Sequence, residues 1–230
     1  MKVQYTKYQL ATSIAVLFHI IGLIGILYGN SGFFVHSTPY NLLLMFALLV
    51  WTQDELNWPF WFFFLATFFL GIGTEIIGVK TARLFGEYQY GNVLGFKVMG
   101  VPLIIGINWF VIIYCCGISI HTLLMKAISR IALDSGKKPM SLKALSVIID
   151  GATLAVFFDW VMEPVAIKLG FWQWGEGGAV PLFNYFSWFL VSILLLAVFH
   201  FCKFSRKNKF AVNLLLIQLM FFLLLRTMLK

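Results

Sequence analysis

Charged residues are scarce in this chain of 230 residues, and their scarcity excludes an ordinary soluble fold. Asp, Glu, Lys and Arg make up 11% of the sequence, compared with about 25% of an ordinary soluble domain. Hydrophobic residues make up 61%, and a soluble domain of 26.2 kDa has too little interior to bury that many. The same hydrophobicity excludes an intrinsically disordered chain. The composition therefore predicts an integral membrane protein.

Cysteine is also scarce, which excludes a disulfide scaffold. The three cysteines are Cys115 and Cys116, inside one apolar run, and Cys202, at the end of another. None has the spacing of a redox or metal site. The formal net charge of +8 would suggest nucleic acid in a soluble protein, but basic loops in a membrane protein are the expected result of insertion. We therefore predict no nucleic-acid partner.

Long apolar runs dominate the rest of the sequence. A helix needs about 20 mainly apolar residues to cross about 30 Å of hydrocarbon. Seven runs bounded by charged or turn residues approach that length: 8–29, 39–53, 58–79, 100–125, 143–169, 180–202 and 210–229. The short run 39–53 is compatible with a tilted, interfacial or re-entrant helix as well as a full span. We predict an all-α, polytopic helical bundle of about seven transmembrane helices, forming a single domain over residues 1–230.

The positions of the basic residues predict the orientation of this bundle in the cell membrane. If all seven runs cross, eleven Lys and Arg residues lie on the side of the N-terminus and six lie on the other side. The excess favours a cytoplasmic N-terminus. The first run is longer than the apolar region of a secretory signal, so we expect it to be the first span of the mature chain.

Acidic residues inside predicted spans are the first candidates for function, because an ionisable side chain in a bilayer is costly. Asp159 and Glu163 are four residues apart and therefore share one helix face, whereas Asp150 faces nearly the opposite way. Glu75 lies about 24 Å along its predicted span, and Glu87 follows in the next loop. We expect Glu75, Glu87, Asp159 and Glu163 to converge on one membrane face.

Aromatic residues flank these acids in two loops. Tyr88 and Tyr90 follow Glu87, and Trp172 and Trp174 follow the span that carries Asp159. Such residues also gather at bilayer interfaces as anchors, so the loops alone fit an aromatic belt equally well. Neutralisation by nearby Lys and Arg would account for one or two of the acids but not for four. The acids therefore indicate chemistry more strongly than the aromatic residues do.

Carboxyl groups that share an apolar site tend to hold a proton near neutral pH. A protonated carboxyl is a general acid, and an isolated alkene is an apolar substrate that requires one. The carbocation formed by protonation can be stabilised by neighbouring carboxylates and by the faces of aromatic rings. The pattern favours acid-initiated chemistry on an alkene.

Two blocks, at about residues 70–110 and 150–190, carry a resemblance to a known family. The first block contains FGEYQY at 85–90, LG at 94–95, GVPL at 100–103 and NWF at 108–110. The second contains DWVMEPVA at 159–166, GFWQW at 170–174 and VPLFNYFSW at 180–188. Over roughly residues 70 to 200, the chain resembles the carotenoid biosynthesis proteins that hydrate the acyclic ends of carotenoids, the carotenoid 1,2-hydratases.

The resemblance implies a cofactor-independent hydro-lyase of the type that acts on γ-carotene, lycopene or bisanhydrobacterioruberin. Asp159 or Glu163 would protonate C2 of the terminal double bond, water would add at C1, and Glu75 or Glu87 would orient or deprotonate that water. The residues expected to hold the water or line the site are Tyr88, Tyr90, Trp109, Trp160, Trp172, Trp174, Asn184 and Trp188. No metal site is expected. The implied partners are a carotenoid, water and the lipid bilayer, with association with other carotenoid pathway enzymes left open.

Three positions depart from the family pattern. The Phe96-Lys97 pair stands where a proline is frequent after the Leu-Gly, Ser187 stands where glycine is frequent, and Glu163 stands where aspartate is common. The change at Glu163 keeps a carboxyl group and therefore keeps the implied chemistry. The other two affect packing and substrate choice.

Other functions remain open at the level of sequence. A carotenoid end cyclase begins with the same protonation and differs in what captures the cation. The spacing of Asp159 and Glu163 also fits the acidic motif of a magnesium-dependent membrane prenyltransferase, although no second motif of matching spacing is present. A seven-helix transporter or receptor is the non-enzymatic alternative, but paired broken helices are absent from the sequence, as is a Lys within the apolar run of the last span.

Overall fold

The computed structural model describes residues 6–135, 143–175 and 178–229, with side chains for 6–130, 144–175 and 178–229. These residues form eight α-helices: α1 Lys7–Tyr28, α2 Ser31–His36, α3 Thr38–Thr52, α4 Trp58–Thr81, α5 Ile104–Ser135, α6 Lys143–Lys168, α7 Leu182–Phe201 and α8 Lys209–Met228. Six of them, all except α2 and α3, are long and apolar enough to cross a membrane. The prediction of an all-α, multi-pass membrane protein is confirmed.

Helix α3 corresponds to the short apolar run at 39–53. It has 15 residues, and α2 precedes it. Although α3 is short, it returns the chain to the face where α1 begins, because Lys7 Nζ lies 2.8 Å from Asp54 Oδ1. All seven predicted runs therefore correspond to helices, of which α3 is the one below the length of a full span.

Loops from three parts of the chain meet at this face, which we call the N-terminal face. Gln53 Nε2 donates to the Ser205 carbonyl at 2.9 Å, and Asn57 Nδ2 donates to the Lys203 carbonyl at 3.0 Å. The segment 82–103 and the segment after α6 lie at the other end of the bundle, which we call the ribbon face.

Local sequence explains where several helices begin. Thr6 and Gln9 form a capping box at α1, and Asn57 and Asn208 cap α4 and α8 through their side-chain oxygens. Pro164 lies inside α6, and the helix continues through it to Lys168.

Four short strands cover the ribbon face. They are β1 Tyr88–Tyr90, β2 Lys97–Val98, β3 Val101–Pro102 and β4 Trp172–Trp174. Strands β2 and β3 form a small hairpin. Strands β1 and β4 pair antiparallel, with Tyr88 opposite Trp174 and Tyr90 opposite Trp172. We call this pair the aromatic ribbon. It joins the two sequence blocks that carry the family resemblance.

Helix α5 occupies the centre of the bundle, where it contacts α3, α4, α6, α7 and α8. Its fully buried aromatic residues, such as Phe110 and Tyr114, pack against Phe60 of α4. Apolar side chains on the outer helices are exposed, for example Leu17 and Leu190. Exposed apolar side chains on peripheral helices fit contact with lipid.

Candidate functional site

Three carboxyl groups are buried together near the ribbon face. Glu75 on α4 is 5% exposed, and Asp159 and Glu163 on α6 are 1% and 2% exposed. They are close enough for their charges to interact. Across the described residues, the one ion pair within 4.0 Å is Lys7–Asp54, so these carboxyl groups have no basic partner there. We call them the carboxyl cluster.

Glu75 accepts three hydrogen bonds from aromatic side chains. Its Oε2 accepts from the hydroxyl groups of Tyr88 at 2.5 Å and Tyr90 at 2.7 Å, and its Oε1 accepts from Trp109 Nε1 at 3.0 Å. These donors come from β1 and α5. The side chain of Glu75 is therefore fixed at both oxygens.

Two glycines of α4 allow this close approach. A Cβ atom at Gly78 would lie 2.8 Å from the Tyr88 hydroxyl, and one at Gly71 would lie 2.7 Å from the Trp109 ring. Gly71, Glu75 and Gly78 are spaced along one face of the helix. Any side chain at Gly71 or Gly78 would push the donors of Glu75 away from it.

The two carboxyl groups of α6 are held from β4 and α7. Glu163 Oε2 accepts from Trp172 Nε1 at 2.6 Å, and Asp159 Oδ2 accepts from Asn184 Nδ2 at 3.0 Å. Their spacing of four residues places both on one helix face, as the sequence predicted. Helices α4, α5, α6 and α7 and the aromatic ribbon all contribute to the cluster.

Aromatic rings enclose the carboxyl cluster. Tyr88 contacts Trp174, with ring centres 5.3 Å apart, and Tyr90 contacts Trp172 at 5.9 Å. Trp109 and Trp188 stack with centres 4.0 Å apart and planes at 19°. Burial, followed by the nearby Glu75 charge, raises the pKa of both Tyr88 and Tyr90 above the ordinary value, so their hydroxyl groups remain donors.

Two of the predicted site residues lie apart from the cluster. Strand alternation turns Tyr88 and Tyr90 inward and leaves Glu87 on the outer side of the ribbon. Trp160 is 45% exposed, with the Arg226 guanidinium 4.2 Å above its ring. Three of the four predicted acids therefore come together.

Lys97 and Ser187 lie at positions that depart from the family pattern, and the sequence predicted no site contact for either of them. Lys97 Nζ donates to the Tyr90 carbonyl at 2.8 Å and to Asn92 Oδ1 at 3.0 Å. Ser187 Oγ donates to the Leu84 carbonyl. Both side chains fix the segment that carries the aromatic ribbon. Their departure from the family pattern was the feature of the sequence that distinguished these two residues.

A cavity of about 300 Å³ lies beside the cluster, among α1, α3, α5, α6 and α8, and Trp172 and Met162 form part of its wall. A second cavity, of about 750 Å³, shares Phe33, Tyr40 and Leu94 with the first. None of the four predicted acids lines either cavity. Within the described part of the chain, no three His, Cys, Asp or Glu side chains are grouped to hold a metal ion.

Comparisons with known proteins agree with the sequence blocks. Residues 37–230 match the family described as carotenoid biosynthesis protein. Over 132 residues the chain is 26% identical to bisanhydrobacterioruberin hydratase of Haloarcula japonica, an alignment that covers 56% of this chain and 41% of that protein. No solved structure matches the chain. Because the family match extends over most of its length, the protein belongs to the carotenoid biosynthesis protein family.

Proposed function

We propose that the protein is a carotenoid 1,2-hydratase, which adds water across the terminal C1,C2 double bond of an acyclic carotenoid end and forms a tertiary 1-hydroxy carotenoid. The observation that carries this proposal is the group of three buried carboxyls, without a described basic partner, enclosed by aromatic donors and rings. The family membership and the name of the similar Haloarcula protein support the same reaction.

The acid is Asp159 or Glu163. One oxygen of Asp159 accepts a hydrogen bond from Asn184, and one oxygen of Glu163 accepts a hydrogen bond from Trp172. In each carboxyl group, the other oxygen is the position from which a proton is transferred. Transfer of that proton to C2 breaks the double bond and leaves a tertiary cation at C1. The oxygen of a water molecule then bonds to C1, and the proton that it loses returns to a carboxylate.

Glu75 orients this water in the proposal. Its two oxygens are fixed by Tyr88, Tyr90 and Trp109, which makes it a rigid acceptor instead of a mobile acid. Glu87 is the alternative for this role that the sequence leaves open, and its position on the outer side of the ribbon favours Glu75. Hydration of an alkene involves no net oxidation or reduction, so the stoichiometry requires no redox cofactor.

The stacked Trp109 and Trp188, together with Trp172 and the two tyrosines of β1, provide ring faces for the cation. The apolar walls of the two adjoining cavities offer space for the polyene. Phe33 and Tyr40, which both cavities share, are 65% and 74% exposed, so we propose that the polyene enters from the lipid at this point.

We further propose that the N-terminal face is cytoplasmic. The excess of eleven Lys and Arg residues over six supports this orientation. The carboxyl cluster then lies toward the opposite leaflet.

Expression in a lycopene-accumulating cell tests the reaction. The expected product has the mass of lycopene plus one water and carries a tertiary hydroxyl, and its formation continues when Mg²⁺ is chelated in a membrane assay. A product with the mass of lycopene and a cyclic end would identify a cyclase, and loss of activity on chelation would favour a prenyltransferase. Either result would overturn the proposal.

A further inference from the structure

The smaller cavity has a polar side that the proposed reaction does not use. Gln218 on α8, His19 on α1 and Asn41 on α3 line it. Gln218 and His19 are 5% and 6% exposed. Within the part of the chain that the structure describes, Gln218 Oε1 and Asn41 Oδ1 have no hydrogen-bond partner. His19 Nδ1 donates to the Ala15 carbonyl at 2.7 Å, so the neutral ring presents Nε2 as an acceptor.

Contacts between helices place His19 and Gln218 at a similar depth. Asn213 Nδ2 donates to Thr12 Oγ1 at 3.0 Å, and the His19 and Phe221 rings lie 5.3 Å apart. These contacts align α1 with α8, so Gln218 lies within about one helical turn of His19. His19 and Gln218 therefore face the same part of the cavity.

The carboxyl cluster lies at the same depth on a neighbouring face of α6. Phe158 contacts Phe222 of α8 with ring centres 5.8 Å apart, and Phe158 and Met162 line the cavity. Asp159 and Glu163, the residues next to them in sequence, belong to the cluster. Trp172 adjoins both places, because its ring lines the cavity and its Nε1 donates to Glu163.

An unpaired buried amide is costly in protein and more so within a membrane. Its presence in a mainly apolar cavity indicates a ligand that is apolar along most of its length and carries one small polar group. A hydroxyl group donates one hydrogen bond and also accepts, so it can donate to Gln218 Oε1 or to His19 Nε2 and can accept from a side-chain amide nitrogen. An isoprenoid chain that ends in a hydroxyl group has both properties.

We propose that the cavity lined by His19, Asn41 and Gln218 binds the hydroxylated end of an isoprenoid chain, and so receives the product of hydration after it passes Trp172. This inference rests on the proposed function, which supplies that product. The hydrocarbon substrate has no group that can pair with these side chains, so the cavity favours product over substrate.

Binding measured by tryptophan fluorescence quenching on the protein in lipid nanodiscs tests the inference. The probes are lycopene and its 1-hydroxy derivative. We expect the wild-type protein to bind the hydroxylated probe about five- to tenfold more tightly. Gln218→Leu should abolish this preference without weakening the binding of lycopene. His19→Leu should reduce the preference, and His19→Gln should retain more of it. Gln89→Leu makes the same side-chain change on the exposed side of β1 and should leave the preference intact.

Thermal unfolding without ligand separates recognition from a structural role. Gln218→Leu removes an unpaired polar group, so its midpoint should equal or exceed that of the wild type. A lower midpoint, no preference in the wild type, or equal weakening of both probes would overturn the inference, and equal weakening would indicate a bound water instead.

Hydration is assayed separately. A wild type that shows the preference but no hydration refutes the proposed function, whereas one that hydrates without the preference refutes only this inference.

Discussion

Two buried polar clusters contact the central helix α5, and they differ in chemistry. One meets α5 at Tyr114, whose hydroxyl donates to Gln53 at 2.6 Å and accepts from Asn208 at 3.1 Å. The other is the carboxyl cluster, which meets α5 at Trp109, where Glu75 accepts from the indole. Trp109 and Tyr114 are only about 7.5 Å apart along the helix axis. Two positions on α5 that lie close together therefore contact polar clusters of different chemistry.

The cluster at Tyr114 consists of neutral groups that bond to one another and to the backbone. Asn208 Nδ2 also donates to Thr52 Oγ1 and to the Leu49 carbonyl, and its side-chain oxygen caps α8. Such a network ties helix ends together and holds no charge. The carboxyl cluster concentrates three ionisable groups where charge is expensive. The difference is consistent with a stabilising role for the cluster at Tyr114, and it supports the proposal that the carboxyl cluster carries the chemistry.

Removing a carboxyl group from the carboxyl cluster should have the largest effect on activity. We expect Asp159→Asn and Glu163→Gln to lower product formation per folded protein by about 10²- to 10⁴-fold, the usual contribution of a general acid. Thermal stability should change little, because both amides remain able to accept from Asn184 or Trp172. Asp150→Asn, an exposed change on the same helix, is the matched control and should retain activity. Full activity in both cluster variants would refute the assignment of the acid.

Removing hydrogen bonds from the cluster at Tyr114 should affect stability instead of activity. Asn208→Ala removes a helix cap and leaves its buried partners unpaired, so we expect a loss of about 2–4 kcal/mol in the free energy of unfolding. Product formation per folded protein should stay near the wild-type value. Denaturant unfolding in detergent measures the loss. Asn57→Ala removes the more accessible cap of α4 and should cost about 1 kcal/mol. Equal losses from the two substitutions would show that the buried bonds of Asn208 contribute nothing.

The smallest effect concerns alkaline pH. The fold raises the pKa of Tyr88 and Tyr90, mainly through burial, and therefore favours their neutral forms. Their contribution to stability is present below the ordinary tyrosine pKa of about 10 and is lost as the pH rises above it. The absorbance difference at about 295 nm between wild type and the Tyr88→Phe/Tyr90→Phe double variant should show no ionisation until the protein unfolds. A difference that titrates in the folded protein near pH 10 would contradict this expectation.

Several features of the site could be predicted from local spacing. A four-residue separation on a helix fixes a shared face, so the sequence is sufficient to pair Asp159 with Glu163. Local spacing could not predict that Tyr88 pairs with Trp174 and Tyr90 with Trp172. These strands are separated in sequence by more than 80 residues, including two helices. No local period determines the register between strands so far apart.

The same limit explains where Glu87 and Trp160 lie. Glu87 is next to Tyr88, and a one-residue step along a strand reverses the side on which a side chain lies. Trp160 is next to Asp159, and one residue on a helix turns the side chain by about 100°. Sequence proximity to a residue near the carboxyl cluster therefore does not place a side chain on the same side.

The sequence by itself determined that this chain is a multi-pass helical membrane protein and which acids were candidates for chemistry, because hydrophobic length and helical spacing are local properties. Only the tertiary structure decided that Glu75 meets Tyr88, Tyr90 and Trp109, that Glu87 lies outside, and that a cavity with an unpaired Gln218 adjoins the cluster. These features depend on which helices and strands pack together, a choice made by the burial and pairing of residues far apart in the chain.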